Sequence, residues 1–525
     1  MVAERDDKGA NKVTRLLKAV EWLGNLLPHP VTLFFLLALG IILLSWALHA
    51  GGLSVQDPRD LERQITVVNL FSADGLRMII ENMVVNFTSF VPLGTVLVTM
   101  LGVGVAEASG LLSTGIRSIV LFAPKRLLTF AVVFAGVVSN TAAEMGYVVL
   151  VPMAGFLFLA VKRHPIAGMA AAFAGVSGGY SANLLIGVVD PLLSGITQEA
   201  ARYIDPEYTV HPAVNWYFMM ASTFVVSIIG TWVTHRIVEP ALGPYDDSHS
   251  DHGTVHTDDY LKPLTSAEKK GLMAAFVSVV VLGILTAFTV VPENGILRNP
   301  ETGDILRSPF MSGIVVLLFF YFLIPSIVYG KVTGSIRNDR DVINGMAEAM
   351  SRLGIYIVLV FFAAQFVAYF RWTNLGEIMA ISGANFLTAI GLDNPLVFLP
   401  FILMCCVVNL MLGSASAQWA VTAPIFVPML MTLGYSPEVI QAAYRIGDST
   451  TNIITPMMSY FALILAFITR FDRRIGIGTV ISTMLPYSIA LLIGWIILFY
   501  VWVFLLGLPV GPGAPTYFEF PSSQS

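Results

Sequence analysis

Nine stretches of the chain, near 30–50, 88–112, 165–196, 214–238, 269–291, 310–330, 345–370, 437–468 and 480–507, are long and apolar enough to cross a bilayer. A crossing helix takes about 20 mostly apolar residues, and in lipid every backbone polar group must be paired internally, so these segments are expected to be helical. Composition agrees: 56% of the 525 residues are hydrophobic and 12% are charged, against about 25% charge in an average soluble domain. A disordered chain, a nucleic-acid binder (the formal charge is −5) and a disulfide-rich secreted scaffold are excluded. The two cysteines, Cys405 and Cys406, are adjacent in an apolar run and read as small core residues. No small-residue cleavage pattern follows the basic segment Met1–Lys18, so no signal peptide is expected.

Two further apolar stretches resist this count. Leu127 to Leu159 is too short for two crossings and carries Ser139-Asn140-Thr141-Ala142-Ala143-Glu144 at its middle. Leu396 to Leu433 likewise has a polar centre, with Asn409 and then Gly413-Ser414-Ala415-Ser416-Ala417-Gln418. Arms of about 12–15 residues suit re-entrant segments, and irregular backbone at membrane depth persists only where protein or a wet cavity satisfies it. Two helical hairpins, 127–159 and 396–433, are therefore expected; the alternative is one long tilted helix with a polar kink. With hairpins as non-crossing and the N-terminus inside, cytoplasmic segments hold 21 of the 29 Lys and Arg residues, outer loops seven, and Arg445 lies in a span. That is the positive-inside bias, and it places the C-terminal tail outside.

The element order repeats: span, span, hairpin, broken span, span. A shift of 272 residues superposes Pro152 on Pro424, Pro165 on Pro437, Gly175 on Gly447 and Ser177 on Ser449. One extra span separates the copies and inverts the second, the organisation of many secondary transporters. The expected layout is a cytoplasmic segment over 1–29, a first repeat over 30–238, a cytoplasmic linker over 239–268, a linking helix over 269–291, a second repeat over 310–507 and an outer tail over 508–525. His249, His252 and His256 in the linker lack regular ligand spacing and read as a solvated loop rather than a metal site.

After each hairpin comes a span interrupted near its centre. Ser177-Gly178-Gly179-Tyr180-Ser181-Ala182-Asn183 breaks the helix that starts at Pro165, and Gly447-Asp448-Ser449-Thr450-Thr451-Asn452 breaks the one that starts at Pro437, with Thr455-Pro456 restarting it. Unwound carbonyls there suit a cation, and half-helix N-termini suit an anion. Neutral oxygens from Ser139, Asn140, Thr141, Asn183, Asn409, Ser414, Ser416 and Asn452 are of the kind a hard cation accepts; the plainer reading is that small polar residues let helices approach closely. Charges inside spans are costly and usually functional: here Glu107, Glu144, Asp190, Arg445 and Asp448. Arg445 and Asp448 are three apart and can pair with each other, or Arg445 can present its planar guanidinium to a substrate carboxylate. Asp190 has no basic partner nearby in sequence and reads as a proton carrier or cavity wall. Trp419, beside the second hairpin tip, is either core or a stacking surface for an aromatic ligand. The chain lacks H-E-x-x-H, G-x-S-x-G and G-x-x-x-x-G-K motifs, so an enzyme is not expected. A passive channel is the remaining alternative.

The stretches Arg163-His164-Pro165 through Asn183 to Asp190-Pro191, Gly413-Ser-Ala-Ser-Ala-Gln-Trp419 through Pro428, and Tyr444-Arg445-Ile446-Gly447-Asp448-Ser449 resemble the AbgT family of p-aminobenzoyl-glutamate transporters over nearly the whole chain. The first hairpin tip with Gly146-Tyr147 is closer to the family's MtrF-like antimetabolite-efflux branch. The resemblance implies an all-α polytopic membrane protein with nine transmembrane helices, two re-entrant hairpins and an inverted repeat with two broken helices, assembled as a homodimer. It implies a place in the bacterial inner membrane, with the N-terminus cytoplasmic and the C-terminus periplasmic. The implied activity is ion-coupled export of sulfonamide-type antimetabolites and of aromatic anions such as p-aminobenzoyl-glutamate; uptake is the alternative. The family's functional positions match Asp190, Asn409, Trp419, Pro437, Arg445 and Asp448, expected to bind substrate. The residues read for the coupling ion are Ser139, Asn140, Asn183, Ser414 and Asn452. The expected partners are the small aromatic anion and membrane lipid, with no nucleic acid and no cofactor. The neutral oxygens favour Na⁺ as coupling ion and the buried carboxylates favour H⁺.

Overall fold

The computed structural model describes residues 28–57, 60–142, 146–246, 263–305 and 308–519. Among them, eight helical segments are long and apolar enough to cross a bilayer. Seven coincide with expected spans, and the eighth, Pro395–Leu412, is the first arm of the expected second hairpin. The two remaining expected spans, 165–196 and 437–468, are the interrupted helices.

The first helix, α1 (Pro30–Ala50), buries only Phe34, Ala38, Ile41 and Ser45, a single stripe. Leu36, Leu43 and Trp46 on its other faces are exposed. So large an apolar exposure is stable only against lipid. A two-stranded antiparallel ribbon, β1 (Ser54–Asp57) and β2 (Asp60–Thr66), follows. The crossing expected at 88–112 starts earlier, as α2 (Ala73–Thr88) and α3 (Val91–Ala108) in close succession. Ser72 Oγ accepts from Gly75 N at 3.0 Å, and this N-cap starts the helix in a segment whose charges, Asp74, Arg77 and Glu81, hid it from a hydropathy reading. A short helix, α4 (Leu111–Leu121), meets the first hairpin, α5 (Leu128–Ser139) and α6 (Val151–Ala160), at a bend of 110°. Next come α7 (Pro165–Phe173), α8 (Val189–Ala201) and α9 (Trp216–Val233).

The second half opens with α10 (Ser266–Val290), started by a capping box in which Thr265 Oγ1 accepts from Glu268 N and Glu268 Oε2 accepts from Thr265 N. It continues with α11 (Ile314–Thr333), α12 (Asp339–Arg352) and α13 (Gly354–Trp372). The expected span 345–370 thus divides. Asn338 and Asp341 cap an amphipathic α12, and the crossing begins only at Gly354. A 15-residue helix, α14 (Leu375–Ala389), was not expected, being too short to read as a span. The second hairpin is α15 (Phe398–Leu412) and α16 (Ala415–Thr432). The last elements are α17 (Pro437–Thr451), α18 (Phe461–Phe471) and α19 (Ile477–Phe499).

Both hairpin segments reverse. Gln418 Nε2 donates to Cys405 O at 2.8 Å, whereas residues 13 apart on a straight helix lie about 20 Å apart along its axis. Gly413, at φ 59°, supplies the left-handed turn, and a side chain there would meet Met457 O at 2.8 Å. In the first hairpin a Cβ on Gly146 would collide with Ser139 Oγ, though seven residues of straight helix span about 10 Å. A straight rod is thereby excluded for both. Each interrupted helix then packs on the first arm of its own hairpin. Gly175 lets α7 and its π-helical extension lie against Val133, and Gly447 lets α17 lie against Cys405, whose Cβ is 2.5 Å from where a Gly447 Cβ would be. The contacted residues, Val133 and Cys405, are separated by the same 272 positions as the two glycines.

At the base of the first hairpin, Arg163 donates to Glu239 at 2.8 and 2.6 Å and to Thr129 Oγ1 at 2.8 Å. It also lies 4.1 Å from the Phe158 ring centroid. Every residue of α17 is buried, so this amphipathic sequence forms the centre of the molecule.

Candidate functional site

The two breaks are stretches of non-helical backbone, from Gly179 to Val188 and from Asn452 to Tyr460; the second helix resumes at Phe461, five residues later than Pro456 suggested. Hairpin tips supply hydrogen bonds that the broken helices lack. Asn140 Nδ2 donates to Gly179 O at 3.3 Å, and Thr141 Oγ1 to Asn183 Oδ1 at 2.9 Å. Asn409 Nδ2 reaches Asp448 O at 2.6 Å and both Thr451 Oγ1 and Asn452 Oδ1 at 2.9 Å. The first break also touches the last turn of α17: Ser181 N donates to Ser449 Oγ at 3.1 Å. Irregular backbone in the middle of the protein is satisfied in this way by protein groups.

Asp190, the second residue of α8, and Arg445, in the middle of α17, form an ion pair at 2.7 Å with side chains 3% and 2% exposed. Among the described residues the ion pair of Arg445 is with Asp190, not Asp448; the three-residue spacing misled because the true partner lies 255 positions away. Gly187 N donates to the other Asp190 oxygen at 2.7 Å. Arg445 Nε donates to Asn215 Oδ1 at 3.0 Å, which also accepts from Gln441 Nε2 at 2.7 Å, while Asn215 Nδ2 donates to Glu438 O at 2.8 Å. Trp419 is fully buried. It stacks on Tyr444 at 4.2 Å between centroids, and its Nε1 donates to Thr197 Oγ1 at 2.9 Å. That hydroxyl donates to Gln441 Oε1 at 2.5 Å. Five segments of the chain are thus tied through one buried network, and Thr197, Asn215 and Gln441 are members that sequence reading missed. Their only signal was polarity within or beside apolar segments.

A cavity of about 330 Å³ lies where the tips and breaks meet. Asn140 and Tyr147 line it from the first hairpin, and Gly413, Ser414, Ala415 and Ser416 from the second. Tyr180, Val188 and Val189 come from the first break and Asn452, Met458, Ser459 and Tyr460 from the second; Val96, Met100, Leu192, Leu353 and Tyr356 complete it. Tyr147 and Tyr460 stack at 4.6 Å and 3°, and Tyr356 donates to Pro92 O at 2.9 Å. Such an aromatic, hydroxyl-rich hollow suits a small aromatic ligand. Tyr180 and Tyr460 sit in the breaks, where a sequence reading attentive to rings as well as to small residues would have found them; Tyr356 carried no signal.

The expected site residues therefore separate into groups. Asn140, Ser414 and Asn452 line the cavity; Asp190, Trp419, Arg445 and Asp448 are buried and outside its lining. Ser139 donates within its own helix to Gly136 O at 2.6 Å, and Asn183 supports the tip. Pro437 begins α17, eight residues or about 12 Å of helix from Arg445, and does not line the cavity. Glu107 pairs with Arg352 at 2.8 Å. Glu144 and the linker histidines 249, 252 and 256 lie outside the described residues. Both carboxylate oxygens of Asp448, with Asn140 Oδ1, Asn409 Oδ1, Gln418 Oε1 and Ser181 Oγ, are buried without a hydrogen-bond partner among the described residues. Buried oxygens left without partners are costly.

Comparison with known proteins matches residues 15–518 to the AbgT putative transporter family. The chain belongs to the AbgT family. It is 38% identical over 494 residues to the p-aminobenzoyl-glutamate transport protein of Escherichia coli K12, covering 94% of this chain and 95% of that protein. Among solved structures it is similar to Neisseria gonorrhoeae MtrF, described within a class of antimetabolite efflux pumps. That match has 56% identity and a TM-score of 0.89, over 95% of this chain and 100% of that one. The Alcanivorax borkumensis YdaH transporter, described as having an unusual topology, matches with 44% identity and a TM-score of 0.86, over 92% and 100%. This AbgT family member is a multi-span helical membrane transporter.

Proposed function

We propose that the protein is an ion-coupled secondary transporter of the bacterial inner membrane. In this reading it exports sulfonamide-type antimetabolites and aromatic anions such as p-aminobenzoyl-glutamate, and it works as a homodimer with a cytoplasmic N-terminus. The observation that carries this reading is the tyrosine-lined cavity bounded by both hairpin tips and both helix breaks, backed by the buried Asp190–Arg445 pair. The aryl ring packs beside the stacked Tyr147 and Tyr460, hydroxyls of Ser414 and Ser416 meet its polar ends, and a substrate carboxylate takes the place of Asp190 on Arg445, whose planar fork suits it. Trp419 and Asn215 act from behind the wall by fixing α8 and α17. The coupling cation is Na⁺ on the amide and hydroxyl oxygens of Asn140, Asn409, Asn452 and Ser414, or H⁺ on Asp190 and Asp448. Rocking of one substructure past the other then alternates access. The efflux direction is supported by the similarity to MtrF.

The test is reconstitution in vesicles with Na⁺ and pH gradients imposed separately, following labelled p-aminobenzoyl-glutamate. Saturable movement driven by one gradient, lost in Tyr147→Ala and Arg445→Gln, is expected. Non-saturating flux would mean a channel, and gradient-driven accumulation from the outer side only would mean uptake.

A further inference from the structure

A second cavity, of about 590 Å³, flanks the same two helices that wall the first. Along α8 the inner cavity is lined by Val189 and Leu192, and the second by Pro191, Ser194 and Gln198. At 100° per residue these sets lie on nearly opposite faces. Helix α3 divides in the same way, with Val96 and Met100 on the inner cavity and Val91 and Thr95 on the second. Asp190 lies on the side of α8 turned away from α3 and toward α17, where it pairs with Arg445. The partition between the two cavities is closed where Gly195 meets Pro92: a Cβ there would lie 3.1 Å from the Pro92 ring. Beyond the second cavity, and sharing Thr209 and His211 with it, a hollow of about 900 Å³ is lined by Asp205, Glu207, Asp304, Glu438 and Glu519. No Lys or Arg lines it among the described residues.

We propose that the second cavity is an exit station for the same aromatic anion, on the outer side of a partition formed by α3 and α8, and that the acidic hollow beyond it weakens the anion's hold there and repels anions approaching from outside. This rests on the transport reading above and on its topology, which places residues 202–213 and 292–309 outside. Val91, Pro191, Met311 and Val315 offer apolar surface to a ring, and Thr95, Ser194 and Gln198 offer polar contacts to its substituents. An anion that has crossed the partition meets the carboxylates of Asp205, Glu207, Asp304 and Glu519, whose field weakens its hold in the second cavity. The same field slows capture of anions from outside, while the net direction of transport is set by the coupled ion gradient.

Thr95 is the position to test, because its hydroxyl bonds only within its own helix, to Val91 O at 3.1 Å and Pro92 O at 3.3 Å. Thr95→Trp fills the cavity. In the vesicle assay, export of labelled p-aminobenzoyl-glutamate is expected to fall roughly tenfold or more, as overfilled space resists occupancy, while the Tm of the purified protein stays near that of wild type. Wild-type export by this variant overturns the proposal. Should the variant fail to fold, Thr95→Cys in a Cys405→Ser, Cys406→Ser background serves. It is expected to react with a membrane-impermeant thiol reagent from outside and to be slowed by p-aminobenzoyl-glutamate; inertness, or labelling indifferent to substrate, contradicts the assignment. Glu207→Lys with Asp304→Lys is expected to raise entry from the outer side about threefold or more at low salt and little at high salt, and no change would remove the acidic hollow from the mechanism. Failure of the wild-type protein to move substrate at all would sink the transport reading instead.

Discussion

Removing the charge of Asp190 isolates the interaction on which the proposed site depends. Its carboxylate is 2.7 Å from Arg445, both side chains are almost fully buried, and its second oxygen accepts from Gly187 N. Asp190→Ala leaves a buried guanidinium whose remaining side-chain acceptor is Asn215, and an amide at Gly187 without its acceptor. Breaking one side of a buried pair costs about 3–5 kcal/mol, and the orphaned amide adds about 1–3 kcal/mol where water cannot reach it. The reverse change, Arg445→Leu, strands the carboxylate and is expected to cost a similar amount. The double variant removes both charges and is expected to recover at least about 2 kcal/mol relative to the sum of the singles, the size of coupling seen between residues in one network. The assay is unfolding of the detergent-purified proteins followed as a double-mutant cycle, with transport measured in parallel; none of the three variants is expected to transport. A loss below about 1 kcal/mol for Asp190→Ala, or strict additivity in the double variant, would refute the claim that this pair is dry and mutually dependent.

Other perturbations address neighbouring parts. Asn215→Leu deletes the shared acceptor of Arg445 and Gln441 and is expected to abolish transport at a cost of about 2–4 kcal/mol; Asn215→Asp, which sets a rival carboxylate beside Arg445, is expected to fold yet fail to restore transport. Gly413→Ala forces a left-handed residue and a clash with Met457 O, so a loss of at least about 1–2 kcal/mol, read as a lower Tm in detergent, is expected. His211 donates from Nε2 to Pro512 O at 3.0 Å; burial lowers its pKa although the Pro512 carbonyl opposes this. The neutral ring is therefore the folded form, and stability is expected to decline as pH falls below about 6.5, the ordinary histidine value. Thermal unfolding of wild type and His211→Gln across pH 5 to 8 checks this, the variant showing the flatter profile.

The parts of this fold that were legible in the sequence are those written in one dimension. Apolar length marked most spans, and short arms around Ser139–Glu144 and Gly413–Gln418 marked the hairpins, because lipid forbids unpaired backbone. Prolines at 165 and 437 marked helix starts, where a missing N–H costs nothing. Hydropathy hid α2 and α12, whose charges and caps make them helices without making them apolar, and α14, too short to be a span. The site divided along the same line. Candidate charges were visible because they are expensive in a span, but the pairing of Asp190 with Arg445 is set by packing between segments 255 residues apart, and local spacing pointed to Asp448 instead. Tyr356 lines the cavity from the apolar first turns of α13, so nothing local announced it.

The central claim is that the ligand lies among both hairpin tips and both helix breaks. A density map of the protein with p-aminobenzoyl-glutamate bound tests it most directly. The account predicts the aryl ring beside the stacked Tyr147 and Tyr460, a carboxylate within reach of Arg445, and the polar segments around Asn140 and Ser414 turning back at the ligand. Ligand density outside this hollow, or 127–159 and 396–433 drawn as uninterrupted rods through the bilayer, would contradict it.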